Sequence, residues 1–226
     1  SAIGTIAGFG TATIVVPIFL LIFPLPQTLL LGGIIHWFND LARLGLFRAG
    51  ICWTLIAAFG IPGILAAIVG ARMAFLFPMD VVVRAIGAVL VIYGGFLFWR
   101  PRFQIPQRAG TAIAGGALSG FLAGVSGIGG AVRSAVLSVF DLPKAAFIAT
   151  VAAAGFLIDT ARLATYVWSG AAMDRALAEN LLFYIPASFA GVWIGERILR
   201  HIPQERFRFI VAAFLVLVGI KFAFFP

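Results

Sequence analysis

Long apolar runs alternate with short polar punctuation along the whole chain. Residues 27–48, 53–71, 81–99, 145–168, 180–196 and 207–225 are six such runs, each near the roughly 20 residues that carry a helix across a bilayer. Each predicts a transmembrane helix. Two further runs, 2–23 and 110–140, are just as apolar but are interrupted by glycine.

The pattern occurs twice. Gly4, Gly8, Pro26, Asp40, Arg43, Leu44, Ile61, Pro62, Gly70, Arg72, Pro78 and Gly94 recur in order as Gly120, Gly124, Pro143, Asp159, Arg162, Leu163, Ile185, Pro186, Gly195, Arg197, Pro203 and Gly219. The offset grows from 116 to 125 residues, mostly through a polar insertion around 168–179. The organisation expected is therefore residues 1–99 as membrane repeat 1, residues 100–108 as a cytoplasmic linker, and residues 109–226 as membrane repeat 2. Two copies of a helical unit facing each other across a central site are a mark of secondary transporters.

Charge placement decides how the repeats thread the membrane. If all eight runs span, the Lys and Arg residues outside the apolar runs divide almost evenly between the two sides, against the positive-inside tendency. If each glycine-broken run instead enters and leaves on one side, Arg48, Arg100, Arg102, Arg108, Lys144, Arg197, Arg200, Arg206 and Arg208 gather on one face. Only Arg72, Arg84, Arg175 and Lys221 remain on the other. Each repeat then has three true spans, and an odd number inverts the second copy relative to the first. The predicted fold class is all-α: a polytopic membrane protein of two tandem inverted repeats, each a Gly-broken re-entrant hairpin plus three transmembrane helices.

Composition agrees with this picture. Hydrophobic residues make up 62% of 226 and charged residues 11%, with a mean hydropathy of +1.11, whereas soluble domains run at about 45–50% and 25%. The formal charge of +8 lies in short loops rather than on one polar face, so it orients the chain in the membrane and does not indicate nucleic acid. Cys52 is the sole cysteine, which excludes intramolecular disulfides and CxxC sites. No metal cluster, phosphate-binding loop or nucleophile–base pair is readable. The chain is not expected to be an enzyme or to need a cofactor. The opening run lacks a basic flank and reads as a membrane segment, not a signal peptide, in a multi-pass protein of the bacterial inner (cytoplasmic) membrane.

The chemistry concentrates at the breaks and at charges inside the apolar runs. Gly8 and Gly10, and Gly124, Gly127, Gly129 and Gly130, permit irregular backbone at membrane depth, which is tolerated only where protein or a wet cavity surrounds it. Gly120 and Gly124, like Gly4 and Gly8, also fit close helix packing. A broken helix presents a half-helix N-terminus, a site for an anion. Thr11, Thr13 and Ser126 would add hydroxyl donors beside the glycines. Arg133 either contacts that anion or snorkels to the headgroups. Asp40 with Arg43, and Asp159 with Arg162, sit three residues apart and can pair on one helix face. They read either as two gates on opposite sides of the midplane or as structural ion pairs. His36 and Asn39 share the Asp40 neighbourhood, where His36 is a hydrogen-bonded core residue or a proton carrier. Trp37, Trp53, Trp99 and Trp168 are expected as interfacial anchors.

The segments Gly4-Thr-Ile-Ala-Gly8-Phe-Gly10 with Pro17, and Ser119-Gly-Phe-Leu-Ala-Gly124-Val-Ser-Gly127-Ile-Gly129-Gly130, within the duplicated architecture, resemble the TauE/SafE family, also called the toluene sulfonate uptake permease family. The resemblance covers essentially the whole chain. It implies proton-driven export or uptake of small sulfur oxyanions or sulfonates, such as sulfite, with export expected. Thr11-Ala12-Thr13 and Val132-Arg133-Ser134 depart from the family's usual glycines and proline, which bears on substrate identity. A passive small-anion channel would use the same helix ends without coupled gates.

Overall fold

The computed structural model describes residues 11–46, 50–99, 107–173, 181, 186 and 204–225. Among them every regular element is helical: α1 (Thr11–Leu20), α2 (Leu25–Leu46), α3 (Trp53–Leu76), α4 (Met79–Trp99), α5 (Ala109–Ser126), α6 (Gly130–Leu137), α7 (Lys144–Trp168) and α8 (Gln204–Phe224). Gly8, Gly10 and the 180–196 run lie outside the described residues, apart from single helical positions at 181 and 186. The helices match the expected runs to within a few residues. α3 contains a π-helical turn at Ile56–Gly60 that periodicity did not reveal. It ends two residues before Pro62, whose missing N–H and bulky ring break the regular ladder one turn earlier.

An apolar core encloses a few buried charges, and large apolar side chains also face outward, as a bilayer demands. Leu65, Val69, Leu76, Ile92 and Leu217 are exposed, while Asp40, Arg133, Asp159 and Arg162 are buried. Within the described residues, four helices are long and apolar enough to cross a membrane: Trp53–Leu76, Met79–Phe96, Ala109–Ser126 and Ala145–Trp168. Trp53, Trp99 and Trp168 are exposed at helix ends, as expected of anchors. Trp37 is not one of them. It lies in mid-helix, stacks on Phe156 with ring centroids 5.0 Å apart, and donates to the Thr160 hydroxyl at 2.8 Å.

Contacts fix the helix directions. Along α2 and α7, Gly33 meets Leu163, Trp37 meets Phe156 and Thr160, and Asp40 meets Gly155, so these helices run antiparallel. α4 and α8 are antiparallel too, because Gly94 abuts Ala212 and Val216 while Gly87 abuts Gly219 and Ala223. In contrast, α3 and α5 run parallel: Phe59 meets Gly116, Gly63 meets Gly120, and Ala67 meets Gly124. A Cβ on Gly120 would overlap the Gly63 carbonyl, which is the close small-residue packing expected of this stripe.

The glycine-rich run is broken between Ser126 and Gly130. Gly127 takes a left-handed conformation, φ 74°, and its N–H returns to the Ala123 carbonyl at 2.9 Å. α6 then folds back along α5, with Gly129 packed against Ser119 and Ala123 and Val136 against Gly115. The two arms are unequal. α5 has 18 residues, enough to span, and packs Gly116, Gly120 and Gly124 on α3; α6 has eight residues followed by a 3-10 turn at Ser138–Phe140.

Candidate functional site

Two charged clusters form where α2, α6 and α7 converge on the break. In the first, α2 presents His36, Asn39, Asp40 and Arg43 on one face, the i, i+3, i+4, i+7 positions of a helix. Asp40 is 2% exposed. Its Oδ2 lies 3.3 Å from Arg133 Nη2 of α6, and its Oδ1 lies 3.4 Å from Arg43 Nη1. Gly155 of α7 closes the pair from behind, since any Cβ there would overlap both the Asp40 carboxylate and the Arg133 guanidinium.

The second cluster is built on α7. Arg162 Nε donates to Asp159 Oδ1 at 2.7 Å, and its Nη1 donates to the Ala123 carbonyl at 3.2 Å. The Tyr166 hydroxyl donates to the Gly124 carbonyl at 2.6 Å, with the Ala123 carbonyl at 3.1 Å as a weaker second acceptor. These are last-turn carbonyls of α5. A helix end leaves its last carbonyls short of intrahelical partners; the Gly127 N–H serves Ala123, and a buried carbonyl left unserved costs about 1–3 kcal/mol. A guanidinium and a phenol at the negative end of the helix dipole serve these carbonyls. Tyr166 was not singled out from the sequence, although its place one turn beyond Arg162 was a usable signal.

Both i, i+3 ion pairs expected from spacing are present. Asp40 lies level with Gly155, four residues before Asp159, so the carboxylates stand about 6 Å apart along the antiparallel axes at 1.5 Å per residue. Both flank one centre. Arg133 does not snorkel: it is 6% exposed and paired with Asp40. The Ser126 hydroxyl, expected as a donor for a ligand, gives its proton to the Leu122 carbonyl at 2.7 Å. Gly129 is held between the hairpin arms, its carbonyl accepting from the Ser119 hydroxyl at 2.9 Å and the Arg133 N–H at 3.1 Å. Gly127 and Gly130 bracket it in the break. Thr11 and Thr13 belong to the first turn of α1, and their side chains lie outside the described residues. α1 reaches the break through Val16, which packs on Gly127.

Within and between the two clusters, polar atoms are left without partners among the described residues. Arg133 Nε, Asn39 Nδ2 and His36 Nε2 are buried and make no hydrogen bond. His36 is therefore not satisfied at Nε2 as a core histidine would be, and it lies within coulombic range of Asp159, Arg162, Arg133 and Arg43. Three guanidiniums, Arg43, Arg133 and Arg162, face two carboxylates, so the pair of clusters carries one formal positive charge in excess. Unsatisfied buried donors cost about 1–3 kcal/mol each, and donors around an excess positive charge suit an anion. Among the described residues no group of His, Cys, Asp and Glu could hold a metal ion.

A family model described as sulfite exporter TauE/SafE matches residues 1–222. Comparison with curated proteins and with solved structures found no match.

Proposed function

The chain belongs to the sulfite exporter TauE/SafE family, and from that premise we propose that it is a secondary transporter of small sulfur oxyanions such as sulfite or sulfonates, coupled to protons. Its family is one of sulfur-anion transport membrane proteins, and the proposed setting is the bacterial inner membrane. The observation that carries the reading is the set of buried, unpartnered nitrogens, Arg133 Nε, Asn39 Nδ2 and His36 Nε2, beside a broken helix. An oxyanion would accept from Arg133 and Asn39. The first-turn N–H groups of α6, which have no partner within their helix, add the positive end of a dipole.

The proposed frame is the pair of inverted repeats, residues 1–99 and 109–226, moving about this centre by alternating access. Three features support it. Equivalent helices α2 and α7, and α4 and α8, run antiparallel; Asp40 and Asp159 are each the sixteenth residue of their helix; and the duplicated positions Trp37 and Phe156 meet each other. The directions of the described helices also accord with the threading that gathers nine of the Lys and Arg residues on one face.

Purified protein in lipid-only vesicles tests the proposal. Sulfite, thiosulfate or a sulfonate should accumulate against its gradient when a proton gradient is imposed. Proton-independent downhill flux would make the protein a passive anion channel, and absence of flux for every sulfur oxyanion and sulfonate would end the proposal.

A further inference from the structure

We propose that Asp40 is a resident counter-ion which the substrate displaces from Arg133, and that the displaced carboxylate takes up a proton, so that one proton crosses with each anion. The inference rests on the transport reading above and assigns its coupling to one residue and one stoichiometry.

A guanidinium grips an oxyanion best through two parallel N–H groups on one edge. The Nε/Nη2 edge of Arg133 is half occupied: Nη2 faces Asp40 Oδ2 at 3.3 Å and Nε has no partner. Asp40 is loosely held, with both its ion pairs at 3.3–3.4 Å. Charge-assisted N–H···O bonds close to about 2.7–2.9 Å when they are fully made, as Arg162 and Asp159 do at 2.7 Å. An anion seated on the Arg133 edge must share Nη2 with the carboxylate. Two negative oxygens on one nitrogen repel strongly where water is excluded. A proton on Asp40 removes the repulsion and turns the carboxyl into a donor toward the incoming anion.

The groups around Asp40 are consistent with a site that switches. Arg43 approaches from α2, Arg133 from α6, and Asp159 and Arg162 from α7, while His36, one turn before Asp40 on α2, lies toward Asp159 and Arg162. Asp159 has its own cation in Arg162, so Arg133 is the guanidinium left to be contested. Gly155 keeps the contest possible by leaving room for the carboxylate and guanidinium to meet on the α7 surface. The proton enters from solvent with the anion and returns to solvent on release, so no co-reactant is needed.

The test uses the full chain in vesicles with methanesulfonate and thiosulfate, whose charges do not change across the neutral range. Methanesulfonate affinity should fall about tenfold per pH unit as pH rises where Asp40 is ionised, because binding takes up one proton. Its flux should follow a pH gradient and ignore an imposed potassium diffusion potential, since one negative and one positive charge cross together. Thiosulfate should carry one net negative charge inward per turnover. Asp40→Asn should bind methanesulfonate with no pH slope and exchange it across the membrane without proton uptake. A folded Asp40→Asn protein that keeps the wild-type slope would overturn the assignment. Potential-driven methanesulfonate flux in the wild type would overturn it too, and that arm needs no variant to fold. Wild-type protein that neither binds nor moves methanesulfonate or thiosulfate would overturn the transport reading itself, and this inference with it.

Discussion

The same four-residue motif, Asp-x-x-Arg, has two different lives in this molecule. Around Asp159 the charged groups are closely paired: the carboxylate takes Arg162 at 2.7 Å, and the remaining guanidinium and the Tyr166 hydroxyl close the carbonyl end of α5. Around Asp40 the pairs are long, Arg43 is partly exposed, and among the described residues Arg133 Nε and Asn39 Nδ2 have no partner, while the unpartnered His36 Nε2 lies toward Asp159 and Arg162 between the two clusters. Satisfied polar networks rigidify a fold, and partly satisfied ones carry a standing cost that a ligand can relieve. The difference separates a lock from a binding site, although the two motifs occupy the same register of duplicated helices.

The comparison breaks most visibly at Arg162. Arg162→Met strands the Asp159 carboxylate and uncaps α5, an expected loss of about 3–5 kcal/mol that should appear as little or no folded protein after purification. A variant melting like the wild type would remove the lock. Tyr166→Phe should be milder, about 1–3 kcal/mol for leaving the buried Gly124 carbonyl short of a donor, read as a lower melting temperature with transport retained. Arg43→Gln should be smallest, under about 1 kcal/mol, because its side chain is 37% exposed and its pair is long. A stability loss at Arg43 as large as that at Arg162 would make the two clusters alike.

Much of this was legible in the sequence because it is local. Helix extents follow from run length, the two ion pairs from i, i+3 spacing, and the break from the density of glycine at Gly127, Gly129 and Gly130. The rest depends on chain segments far apart in number. That Arg133 belongs to Asp40 requires knowing that α6 folds back along α5 and so carries Arg133 to the seam of α2 and α7. That Arg162 and Tyr166 serve the end of α5 requires knowing where that helix stops relative to α7. Ser126 looked like a ligand donor because a hydroxyl beside glycines suggests one, but a helical serine can spend its proton on the carbonyl four residues back. Gly155 carried a local signal, standing one turn before Asp159 on the same face, yet its role concerns Asp40 in the other copy.

The central claim is that the unsatisfied cluster binds the anion and the satisfied one does not. Its most direct test is the thermal unfolding of wild type, Arg133→Gln and Tyr166→Phe with and without saturating sulfite, since a ligand bound only by the native state raises the melting temperature. The account predicts that Tyr166→Phe starts lower but keeps the sulfite-induced rise, whereas Arg133→Gln loses the rise. A sulfite-induced rise that survives Arg133→Gln and vanishes in Tyr166→Phe would contradict it.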